Sequence, residues 1–371
     1  MAEFNPLRLL LARHRRKLSQ SELAQRAEVS RRALVKVERE GGEPTSDVLD
    51  RLVSALQFPK AFFYQGDPPR ISPESASFRA LTHTSARDRD CALASGAMAV
   101  ELHEWIRKHF KIPDPDLPHL GLVPPEDASR ELRELWRLGE RPIGNLTHLL
   151  ESKGVRIFSL SDISESVDAF SFWHEGTPFI MLNTLKSMER ARFDLGHELG
   201  HLLLHRHGLA QGPMIEQEAH AFASALLMPS ASILSTVPRN AALSLLIRLK
   251  AKWGVSLVAL VHRLANLKML TEWAVRRLYV EIAKRGYRKT EPNPMGRETS
   301  QLLGKVLAFI RGSAGGLRRV AADLSIPATE LDSLAFGLAT IALPGGKIGW
   351  PRAVTGQPQQ RSSLRLVPVR S

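Results

Sequence analysis

Apolar residues recur three and four positions apart over most of the 371-residue chain and alternate only in one short region. The first spacing predicts helices and the second strands. Near the N-terminus, Leu23, Ala24 and Ala27 share one helical face, and Leu34 and Val37 share another. Between them, Ala27-Glu28-Val29 leaves room for a tight turn only. Ser19, followed three residues later by Glu22, has the spacing of a capping box, and Ser30 is placed to cap the second helix. Further helices are predicted over about 87–111, 128–138, a stretch ending near Gly154, 187–205 and 216–228, the last stopped by Pro229. Three runs at 155–160, 168–174 and 178–183 read as strands. Helical periodicity then continues to about residue 342. The predicted fold class is mainly α with a small β-sheet, an α+β domain joined to an all-α helix-turn-helix domain.

Proline and glycine clusters divide the chain. Asp67-Pro68-Pro69 closes the first block, and the Pro-rich run 112–118 follows the helix after it. Five segments result. They are a helix-turn-helix domain at 1–66, a helical linker region at 67–127, a mixed domain at 128–238, a helical region at 239–343 and a tail at 344–371. The tail is rich in Gly, Pro, Gln and Ser and is expected to be disordered.

Composition changes the picture in one respect. The chain carries 51 Lys and Arg against 38 Asp and Glu, a formal net charge of +13. Residues 239–371 hold 22 of those basic residues and 7 of the acidic ones, and the rest is near neutral. Such a block suits an acidic partner, nucleic acid included, or a solvated surface. Cys91 has no second cysteine, which excludes a disulfide framework. No run reaches the roughly 18–20 apolar residues that cross a bilayer, and the opening Met1-Ala2-Glu3-Phe4-Asn5-Pro6 lacks the order of a secretory signal. A cytoplasmic protein without a membrane partner is expected.

Small Ala24 and Ala27 let the two N-terminal helices approach closely. Arg31, Arg32 and Lys36 are left on the outer face of the second helix near its start, where a recognition helix carries its base contacts. Arginine suits guanine because its fork meets two acceptors on the major-groove edge together. Over about residues 5–66 the block resembles the repressor/Cro-like helix-turn-helix of the XRE family. The resemblance implies double-stranded operator DNA as partner and Gln20, Ser30, Arg31, Arg32 and Lys36 as the DNA-binding set, with Gln20 bracing a phosphate or reading a base. Glu28 stands where that family often has glycine, which predicts slight strain in the turn.

His197-Glu198-Leu199-Gly200-His201 is an H-E-x-x-H motif within an apolar helical run. Residues four apart share a helical face, so two imidazoles can hold one Zn²⁺ while Glu198 lies beside the open position, suited to take a proton from water. A catalytic zinc needs a third protein ligand. On the next helix Glu218 offers one and Glu216 competes with it, while Ala219, Ala223 and Ala225 allow the two helices to pack. His205 and His207 read as residues flanking the helix end. Asp194, one turn before His197, reads as a first-turn acid, with orienting a ligand as the alternative. The strand at 178–183 is expected to present an edge to which an extended peptide adds.

From Leu132 to Pro229 the chain resembles the ImmA/IrrE family of zinc metallopeptidases. The match runs through Trp136-Arg137-Leu138-Gly139, Pro142-Ile143, Leu149-Leu150-Glu151, Val167-Asp168-Ala169-Phe170-Ser171, 190–205 and 218–229. It implies a zincin-like domain, Zn²⁺ as cofactor, His197, His201 and Glu218 as ligands, Glu198 as catalytic base, and an XRE-type repressor as protein substrate. Gly196 replaces the family's usual alanine and His220 its usual asparagine; His220 reads as a solvent-facing residue, with a group supporting a metal ligand as the alternative.

The helix-turn-helix spacing recurs at 249–260 and at 320–331. The first echo carries Lys250, Lys252, His262 and Arg263, and reads as a unit closing the peptidase core, with a second DNA contact as the alternative. The second sets Glu330 and Asp332 on its outward face, which would repel phosphate, so packing or dimerisation is expected of it. Together these readings imply a DNA-binding transcriptional regulator fused to a zinc-dependent endopeptidase, with a homodimer among its expected states. The alternative is a regulator whose peptidase-like domain only senses or packs.

Overall fold

A computed structural model describes residues 3–71, 84–121, 123–160, 167–205, 212–339 and 367–368. The N-terminal unit holds α1 (Pro6–Arg15), α2 (Gln20–Arg26), α3 (Arg31–Glu40), α4 (Ser46–Leu56) and a 3-10 turn at Lys60–Tyr64. Its helices start where side chains satisfy the free amides. Asn5 accepts from the Leu7 amide, Ser30 from Ala33 and Thr45 from Val48. Ser19 and Glu22 form the reciprocal capping box. Leu9, Leu23, Leu34, Leu52 and Phe62 are buried among these helices, in a core that continues into the rest of the molecule. Glu28 adopts φ 52, and Arg51 holds its carbonyl at 3.1 Å.

A long helix, α5 (Ala86–His109), lies between this unit and the sheet. One face meets α1, where buried Cys91 touches Arg15. The other meets the sheet, where the His103 ring stands edge-on to Phe179 at 5.3 Å. Gly96 lies at that crossing, and a Cβ there would fall 3.3 Å from Phe172. Then come β1 (Phe110–Lys111), α6 (Pro125–Leu135) and α7 (Leu146–Ser152).

The sheet contains β2 (Arg156–Ser159), β3 (Ala169–His174) and β4 (Thr177–Leu182), in the order β2-β4-β3. β2 runs parallel to β4, pairing Ile157 with Ile180, and β3 runs antiparallel, pairing Phe172 with Phe179. Glu175 and Gly176, at φ 46 and 75, make the two-residue turn whose twist matches the flanking strands. The three strands lie within two residues of their predicted limits, but one expectation fails. β4 is the central strand, hydrogen-bonded on both sides and buried from Pro178 to Leu182, so its edge is closed to any peptide. β3 has a neighbour on one side only among the described residues.

The motif helix α8 (Met188–Leu204) packs along α9 (Pro213–Leu227), and α9 also packs on α6. Beyond them lie α10 (Ser230–Thr236), α11 (Leu243–Trp253), α12 (Leu257–Asn266), α13 (Glu272–Lys284), α14 (Gln301–Gly312), α15 (Gly316–Asp323) and α16 (Ala328–Ala335). The expected disordered tail falls outside the described residues except β5 (Val367–Pro368), which pairs antiparallel with β1. Among the described residues no helix is long and apolar enough to cross a membrane. The molecule is mainly α with a small sheet.

Several charges of the C-terminal third turn inward. Lys250 is fully buried between Glu189 of α8 at 2.7 Å and Glu291 at 3.2 Å. Arg263 grips Glu126 with both terminal nitrogens and donates to the Met228 carbonyl. Neither is available to phosphate, which removes two of the four cations from the first echo. Glu330 does not face outward as expected. It is buried and accepts from Arg15 at 2.6 Å and from Arg16, tying α16 to α1. Glu298 accepts from Arg192 of α8 and from the Leu146 and Thr147 amides at the start of α7. Buried pairs thus clamp the motif helix on two sides.

Candidate metal centre

The motif helix begins at Ser187, which caps it by accepting from the Arg190 amide. Its Leu195, Leu199 and Leu203 are fully buried, which fixes its rotation. His197 and His201, one turn apart, then face α9, with their Nε2 atoms 3.0 Å from each other. Gly200 permits the approach of α9, since a Cβ there would lie 3.2 Å from Ala219 Cα. Ala219 and Ala223 line the contact from the other side, as expected of small residues.

Glu216 completes the cluster. Its carboxylate reaches His197 Nε2 at 3.3 Å and His201 Nε2 at 3.5 Å. Donors about 2.0–2.1 Å from a tetrahedral ion stand about 3.3 Å apart, so edges of 3.0, 3.3 and 3.5 Å fit one small divalent cation. His197, His201 and Glu216 are the one group among the described residues spaced to hold a metal. Despite burial, which opposes charge, the two imidazoles hold the Glu216 carboxyl far below the usual carboxylate range. Burial likewise opposes protonation of His197, but Glu216, Glu198 and Asp194 outweigh it and raise its pKa.

Glu218, expected as third ligand, lies elsewhere. It accepts from His205 Nε2 at 2.9 Å, and His205 Nδ1 is 3.1 Å from His201 Nδ1. The order Glu218–His205–His201 sets the orientation of the His201 ring from behind. Two residues along a helix is about 200° of rotation, so Glu216 and Glu218 cannot share a target. The role of His205 was not legible in the sequence, where it reads as a residue flanking the helix end. His207 lies outside the described residues.

Glu198 lines the same pocket as His197 and Glu216. It is almost fully buried, and Ser171 of β3 donates to its Oε2 at 2.7 Å. His220 is exposed to solvent, and its ring also lies 4.6 Å from that of His197 and lines the pocket. Desolvation at the pocket and the neighbouring His197 lower its pKa. Asp194 accepts from Lys186 at 3.4 Å.

At the other end of the molecule, Arg31, Arg32 and Lys36 are exposed on α3 and make no ion pair among the described residues. Ser30 caps that helix. Gln20 is half-buried and donates to Glu38 at 2.6 Å, joining α2 to α3.

The two halves are separately recognisable. Residues 9–63 match the family model of the helix-turn-helix, and residues 150–265 that of the IrrE N-terminal-like domain, a metallopeptidase family. No curated protein matches the chain. The chain joins a DNA-binding helix-turn-helix domain to an IrrE-like peptidase domain.

Proposed function

We propose that the protein is a zinc-dependent endopeptidase carried on a sequence-specific DNA-binding domain, acting in the cytoplasm on a repressor-type protein. The observation that supports this best is the triangle of two imidazole nitrogens and one carboxylate, with the buried Glu198 beside it. His197, His201 and Glu216 hold the ion, replacing the set with Glu218. Zinc held there would supply Lewis acidity toward a peptide carbonyl and toward a water. Glu198, fixed by Ser171, takes the proton of the attacking water and returns it to the leaving amine. The outer edge of β3, which carries Ser171, is suited to align an extended substrate. Arg31, Arg32 and Lys36 contact the operator from α3, with Ser30 at its start and Gln20 beside it.

The test is Glu198→Gln in the full chain. Cleavage of the protein encoded beside this gene is expected to fall at least about 100-fold, with zinc content and operator binding unchanged. Equal cleavage by both forms would reject Glu198 as base. Wild-type protein that holds zinc and binds its operator, yet regulates identically with Glu198→Gln in cells, would reject proteolysis as its mode of action.

A further inference from the structure

Beside the metal pocket lies a second cavity of about 1320 Å³. The two share Asp168, Asp194, Gln217 and His220 as walls, so whatever occupies one leads into the other. Its charges are unequally matched. Asp168 and Asp194 are both taken by Lys186, and Glu126 by Arg263. Five basic side chains thus line the cavity against three carboxylates, and three of the five stand outside those pairs. Arg190 donates only to the Arg288 carbonyl, and Arg288 and Lys289 make no ion pair among the described residues. The lining also includes Leu185, Phe193, Val258 and Leu267, apolar surface that a polypeptide's side chains can cover.

We propose that this cavity seats a glutamate- or aspartate-rich stretch of the polypeptide substrate, its carboxylates on Arg190, Arg288 and Lys289 and its apolar side chains on the wall leading to the metal centre. The proposal rests on the peptidase reading above. A nucleic acid fits less well, because its phosphates would run past Asp168 and Asp194 and leave the apolar wall uncovered. The assignment also accounts for part of the positive surplus of residues 239–371. Lys250 neutralises buried carboxylates, the buried Arg263 pairs with the half-exposed Glu126, and Arg288 and Lys289 line the groove.

The test measures binding rather than cleavage. Zinc-loaded full-length Glu198→Gln is titrated into a fluorescein-labelled dodecapeptide with glutamate at alternate positions and leucine between, and into its glutamine counterpart. The glutamate peptide is expected to bind about tenfold tighter at low salt, with the preference shrinking as salt is raised. Adding Arg288→Glu and Lys289→Glu together removes the preference, whereas Lys284→Glu, an exposed cation outside the cavity, leaves it intact. Equal affinity for both peptides, or a preference that survives the double reversal, overturns the proposal. So does a single-stranded oligonucleotide that binds more tightly than the glutamate peptide through the same two cations. Binding as expected, with no cleavage of any peptide by the wild type, leaves the groove standing and removes only the peptidase reading.

Discussion

Glu216 and Glu218 stand two residues apart on α9 and do different work. Glu216 reaches both histidines of the motif, while Glu218 ends a chain through His205 to the back of His201. Loss of a ligand and loss of an orienting group differ in size. Glu216→Ala is expected to abolish zinc retention through gel filtration. Glu218→Gln is expected to keep stoichiometric zinc with affinity lowered about 10–100-fold, read by chelator competition. The opposite ranking would return Glu218 to the ligand set. His103 belongs to this scale as well. Burial against the sheet, aided by Arg156, pushes its imidazole down to about 3. Unfolded, it titrates near 6.5, so between those values the unfolded chain binds a proton that the folded one refuses. Its contribution to stability is complete above about pH 6.5 and is lost as pH falls toward 3, at up to about 1.4 kcal/mol per unit. His103→Gln is expected to flatten the pH dependence of the urea midpoint over that window, whatever it does to the midpoint itself.

At the scale of elements, the packing of α8 on α9 decides whether the cluster forms. Two glycines on α8 face the partner helix with unequal room. A Cβ on Gly196 would meet Ala223 at 3.4 Å, an ordinary contact, so Gly196→Ala is expected to be neutral or to gain up to about 1 kcal/mol of helix propensity. A Cβ on Gly200 would press on the Ala219 backbone at 3.2 Å, which no rotamer change relieves. Gly200→Ala is expected to cost about 1–3 kcal/mol and to weaken zinc binding, because it moves the helix that carries Glu216. Thermal unfolding with and without zinc checks both variants. The H-E-x-x-H spacing, the caps at Ser19 and Ser30 and the three strands were legible because each depends on residues close in sequence. Which strand is central was not, since strand order is set by partners: β4 has β2 on one side and β3 on the other, and no local pattern records that.

Across the whole molecule, buried and partly buried ion pairs join segments far apart in the chain. Glu330 holds Arg15 and Arg16 across more than 300 residues, Arg8 meets Glu101 at 2.6 Å, and Lys17 meets Asp88 at 2.8 Å. The helix-turn-helix unit is therefore docked on α5 and on the C-terminal helices. Removing one partner of a buried pair leaves an uncompensated charge, typically worth about 3–5 kcal/mol. Glu330→Ala is expected to destabilise by that order, visible as a lower guanidinium midpoint, while Arg31, Arg32 and Lys36 on the far helix stay available to DNA. An unchanged midpoint would mean that Glu330 adds nothing to the docking.

The sequence by itself determined the helices, their caps, the turn that holds Glu28 at φ 52, the cationic face of α3 and the pair His197 and His201 with Glu198 between them. These follow from propensity and helical periodicity, which act between neighbours. Only the tertiary structure decided that Glu216 rather than Glu218 meets the histidines, that Glu330 and Lys250 are internal, and that a basic groove opens beside the metal pocket. The direction in which a polar side chain points depends on what packs against its helix, and those neighbours are drawn from across the whole chain.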